Sequence, residues 1–79
     1  MEPGQAFGRA LRQRRRDAGL SQESLALDAG IERVYISLLE TGNRQPTFQM
    51  MVKLAMSLGC SAADIVADAE LLLASDEDK

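Results

Sequence analysis

Residues 21–40, SQESLALDAGIERVYISLLE, hold two short helical patterns joined at Gly30. The first runs seven or eight residues and the second about nine, too little for either helix to stand alone in water. Each must be held by the other and by the rest of the chain. A short helix braced across a tight glycine-containing turn is the geometry that presents an outer face to the major groove of DNA.

Outward from this stretch, helical spacing persists and no segment alternates with period two. Phe7, Leu11 and Ala18 predict a first helix over about 4–17, stopped by Gly19. Ser21 is a suitable N-cap for the second helix and Thr47, after Pro46, for a fourth. In the fourth, Met51, Leu54, Ala55 and Leu58 fall at i, i+3, i+4 and i+7. Gly59 ends it, and Ser61 with Asp64 forms a near capping box for a fifth. Apolar pairs straddle four of the proposed starts: Leu20 with Leu25, Ile31 with Ile36, Pro46 with Met51, and Cys60 with Ile65. That is the spacing of a hydrophobic staple. Only the third helix is poorly capped, because Glu32 stands where Ser, Thr or Asp serves better.

The 79 residues make one small domain, expected over 1–74, with the tail 75–79 (SDEDK) frayed and solvated. At 46% apolar with three aromatics and no Trp, its core must be aliphatic and filled with Met. There is no His and one Cys, which excludes a histidine-dependent triad, a multi-Cys/His zinc site and a disulfide framework. Neither an 18-residue apolar run nor an apolar signal core is present, so a soluble, cytoplasmic chain is expected. Net charge is −3, but it is unevenly spread: residues 1–53 carry a local +2 and residues 54–79 a local −5. A basic face and an acidic end can coexist beyond a Debye length of about 8–10 Å.

From Leu20 to Glu40 the chain resembles the phage-repressor and Cro type of helix-turn-helix domain. The likeness lies in LSQESLA, the AGI turn, YISLLE, the following G-x-R-x-P-T, and then KLAMSLGCSAADI, so that it covers roughly residues 6–66. Chain size and the IERVYIS segment also resemble the controller proteins of restriction–modification systems. The resemblance implies an all-α, five-helix, lambda-repressor-like domain whose helix-turn-helix spans about 21–41. Such domains usually bind a palindromic operator as a dimer and regulate transcription, often as repressors in prokaryotes or phages.

On a wheel of 100° per residue, Ile36, Leu39 and Glu40 share the side of the third helix (about 32–41) that faces the domain body. Val34, Ser37, Leu38 and Thr41 point away, with Arg33 and Tyr35 on the flanks. Arg33 is the candidate for a bidentate guanine contact, or else a solvated surface arginine. Val34 and Leu38 are candidates for thymine methyl contact, or a protein-binding patch; Ser37 completes the base-reading set. Many relatives carry a polar residue at the place of Leu38, which weakens transfer of an operator sequence. The resemblance implies that Gln22 contacts phosphate and braces the reading side chains. Asn43, Arg44 and the free amides of Thr47 and Phe48 are expected to clamp the sugar–phosphate backbone, with Tyr35 joining through its hydroxyl or packing its ring inward.

Among the run Arg12, Arg14, Arg15 and Arg16, only Arg15 continues the Phe7–Leu11 side. The resemblance implies that it meets Glu40 in a partly buried ion pair, leaving the other three to electrostatic approach. Cys60, on a staple position, reads as a small buried hydrophobe. The stripe Ile65, Val66, Ala69, Leu72 and Leu73 marks a fifth helix over about 62–74. It is expected at a two-fold dimer interface, or else folded back on the monomer. The expected partners are duplex DNA and a second copy of the chain, with RNA polymerase or a toxin protein as further candidates. No cofactor, metal or membrane is implied. A rival reading is an antitoxin-type interaction module that uses Val34, Leu38 or the leucine stripe; nothing supports an enzyme.

Overall fold

A computed structural model describes residues 1–77, with side chains through Asp76. It holds five helices: α1 (Pro3–Asp17), α2 (Gln22–Ala29), α3 (Arg33–Glu40), α4 (Phe48–Leu58) and α5 (Ala62–Glu77). The expected caps operate. The Ser21 hydroxyl accepts from the Ser24 amide at 3.0 Å, and Thr47 from the Met50 amide at 3.1 Å. Ser61 and Asp64 bond reciprocally, each at 3.0 Å. Glu32 makes no side-chain cap to α3. Gly30 turns the chain between α2 and α3 at φ 70°, a left-handed conformation that a Cβ would strain.

α1 packs along α5 and against α3, while α2 packs against α3 and α4. Leu11, Leu25, Ile36, Leu39, Leu54 and Ile65, drawn from all five helices, are fully buried at the centre. Gly8 lets α1 approach the end of α3 at backbone contact. A Cβ placed there would lie 2.3 Å from the Leu39 carbonyl oxygen and 2.6 Å from that of Glu40.

Two expectations about α5 need correction. Ile65 and Ala69 are not at a dimer surface; both are buried inside the protomer, because α5 lies along α1 and closes the core with that side. Val66, Leu72 and Leu73 are half-buried, and the exposed large residue of this helix is Leu71. Nor is the tail frayed from residue 75: the helix continues through Glu77, and the amino terminus is ion-paired with Asp76. Residues 78–79 of the expected tail lie outside the described residues. Among the described residues no single helix is long and apolar enough to cross a membrane, and no cluster of His, Cys, Asp and Glu could hold a metal ion.

Candidate nucleic-acid interface

α3 is two-sided. Ile36, Leu39 and Glu40 are buried, whereas Arg33 and Val34 stand in solvent, Val34 at 56% exposure. Ser37 and Leu38 are half-buried between these edges, so the apolar cost of an outward Leu38 is partly offset by packing. Burying one edge fixes the rotation of an eight-residue helix about its own axis, and so fixes what the other edge shows.

The buried edge ends in an ionic cluster. Glu40, whose side chain has no exposed surface, accepts from Arg15 Nε at 2.7 Å and Nη2 at 3.0 Å. Arg15 also donates to the Leu20 carbonyl at 2.9 Å, which ties the α1–α2 turn to the same point. Burial pushes the Glu40 carboxyl up, but hydrogen bonds from Arg15, Gln22 and Arg12, with the Arg15 charge, outweigh it and hold the group below its ordinary range. The Arg15 guanidinium is correspondingly raised by its hydrogen bonds to Glu40. Among the described residues no buried side-chain polar atom lacks a partner.

Two members of this cluster reach toward the exposed edge. Gln22 Nε2 donates to Glu40 at 3.1 Å, and Arg33 Nη1 donates to Gln22 Oε1 at 3.4 Å. Arg12, read from sequence as merely assisting approach, donates to Glu40 at 3.2 Å while its side chain stays 39% exposed. The signal for it was its place one helical turn before Arg15 on α1. Arg14 instead faces α5 and pairs with Asp68 at 2.7 Å.

After α3 the chain makes a compact loop. The Leu38 carbonyl accepts from the Asn43 amide at 2.9 Å and the Arg44 amide at 3.2 Å. The Thr41 hydroxyl donates back to the Ser37 carbonyl at 2.9 Å, and Asn43 Nδ2 donates to that hydroxyl at 2.8 Å. Asn43 therefore shapes the loop with one amide proton and keeps a second. Arg44 lies over the half-buried Tyr35 ring, 5.9 Å from its centroid, so the two candidate phosphate groups are brought together by a cation–π contact. Thr47 and Phe48 are exposed at the start of α4, where first-turn amides have no carbonyl within the helix to bond. Arg33 and Arg44 form no ion pair among the described residues, leaving uncompensated cations at both ends of this surface. Cys60 is half-buried against the core, and burial pushes its thiol up.

The helix-turn-helix family model matches residues 11–65. An uncharacterised helix-turn-helix-type transcriptional regulator of Sinorhizobium fredii is 40% identical over 52 residues, covering 66% of this chain and 68% of that protein. The clp gene regulator ClgR of Corynebacterium glutamicum superposes with a TM-score of 0.88 at 31% identity, over 99% of this chain and 86% of that one. The restriction–modification controller protein C.AhdI of Aeromonas hydrophila gives 0.77 at 35% identity, over 78% and 94%. These are regulators and a controller protein, not enzymes.

Proposed function

The chain belongs to the helix-turn-helix family of DNA-binding transcriptional regulators, and on that premise we propose that it is a cytoplasmic, sequence-specific regulator that binds a palindromic operator as a homodimer. One observation carries this reading: α3 is locked by Ile36, Leu39 and Glu40 so that Arg33 and Val34 face outward together. In the major groove Arg33 meets a guanine edge and Val34 a thymine methyl, with Ser37 and Leu38 behind them. Phosphates are held by the backbone amide of Gln22, by Asn43, by Arg44 steadied on Tyr35, and by the first-turn amides at Thr47 and Phe48.

With Ile65 and Ala69 inside the protomer, the dimer contact moves to the neighbouring face of α5. There Val66 and Leu73 line a cleft of about 250 Å³ together with Pro46 and Met51. That cleft adjoins the loop holding Asn43 and Arg44, so a second copy seated on it would brace the phosphate clamp of each half.

Selection of bound sites from random duplexes tests the proposal. The expected result is an inverted repeat with half-site centres about 34 Å, one DNA turn, apart. Recovery of no enriched sequence would refute it, and a single unrepeated half-site would refute the dimer.

A further inference from the structure

Beside α5, α1 shows a face that neither the core nor the proposed reading edge uses. Arg9, Arg12 and Arg16 follow one another at i, i+3 and i+7, a row about 10 Å long on one side of the helix. They line a cleft of about 520 Å³ together with the apolar Ala10, Leu71 and Leu72. Leu71 is 69% exposed, an apolar side chain left in solvent beside a row of cations. Arg9 and Arg16 form no ion pair among the described residues, and Arg12 commits only its Nε to Glu40. The carboxylate in the lining, Asp68, is engaged by Arg14 at 2.7 Å. This is a locally cationic cleft in a chain whose net charge is −3.

We propose that this cleft docks an acidic, amphipathic helix of a partner protein. Guanidiniums repeated at helical spacing match carboxylates repeated at i, i+3 or i+4, and i+7, while Leu71 and Leu72 receive the apolar side chains between them. A nucleic-acid strand would satisfy the cations but leave the leucines against phosphate, and so is the poorer occupant. A small anion would engage one arginine of the row, and a cleft with Leu71 in solvent does not enclose it. Asp68, Leu71 and Leu72 lie beyond the residues 11–65 that the helix-turn-helix family model matches, so this wall is a feature of the chain's own α5. The cleft shares no lining residue with the one at Val66 and Leu73, and docking in it leaves the proposed dimer contact open.

Fluorescence anisotropy with the full chain and a labelled peptide of about 15 residues, long enough to form a helix, tests the proposal. The peptide carries glutamates at i, i+3 and i+7 with leucines on the flanking positions. A control of the same composition moves the glutamates to the opposite face. Wild type is expected to bind the first peptide about tenfold tighter than the control, and Leu71→Ser and Arg16→Glu are each expected to lower that affinity about tenfold. Both substitutions fall on exposed residues, and circular dichroism checks that the fold is kept. The proposal is overturned if neither peptide binds, if both bind alike, or if either variant binds the first as wild type does. It is also overturned if Leu71→Ser and Arg16→Glu weaken duplex binding as much as peptide binding, which would assign the cleft to nucleic acid. Sedimentation supplies the last arm: the same assembly state is expected for wild type and Leu71→Ser. A wild-type dimer made monomeric by Leu71→Ser would give the cleft to a second copy of the chain and end the proposal.

Discussion

α2 and α3 have eight residues each and α5 has sixteen, and different chemistry fixes them. The short pair has too few apolar positions to set its orientation by packing alone, and a buried polar cluster around Glu40 completes the job. α5 has apolar residues to spare, and the fold uses Ile65 and Ala69 as ordinary core. Directional bonds place the helix that must be aimed; area burial places the helix that must only cover.

The sharpest way to break this contrast is Glu40→Ala, which leaves Arg15 and Arg12 facing an empty acceptor. A loss of about 3–5 kcal/mol is expected by urea denaturation, most of the stability of a small domain. Titration probes the same group. Its folded pKa lies below the ordinary 4.5, so its contribution is complete above that value and disappears as pH falls through the depressed folded pKa. Wild-type thermal midpoints are therefore expected to fall steeply on the acid side, with the slope reduced in a Glu40→Gln variant that folds. A midpoint indifferent to acid would remove Glu40 from the centre of the account.

For α5, Ile65→Ala is expected to cost about 2–5 kcal/mol as a cavity in the monomer core. Its loss should be the same at low and high protein concentration, because the residue is interior to the protomer. A loss that vanishes at high concentration would return Ile65 to an interface. On the reading edge the effects are smaller and concern binding. Arg33→Ala should lose about 1–3 kcal/mol of discrimination at one base pair, and equal losses on operator and random duplex would contradict its role. Arg44→Ala should weaken every sequence and lower the salt slope by about one unit, measured by titrating binding against salt.

The helix starts were legible because caps are local: Ser21, Thr47 and Ser61 act on amides three residues away. The inward edge of α3 was legible because helical periodicity alone places Ile36, Leu39 and Glu40 on one side. The fate of α5 was not, since a stripe records that something covers it and not whether the cover is α1 or a second molecule. The helix also outran its expected end, because the partner of Asp76 is the amino terminus at the far end of the chain. Similarly, the link from Glu40 through Gln22 to Arg33 joins residues 18 and 11 apart in sequence, and only the folded turn brings them into line.

Gly8 sits where α1 rests on the last carbonyls of α3. A single methyl at that position would act as a wedge, tilting the reading rod without altering any atom that faces nucleotides. Position 8 is thus the place to build a heat-sensitive allele: competent when cool, silent when warmed, and restored on cooling.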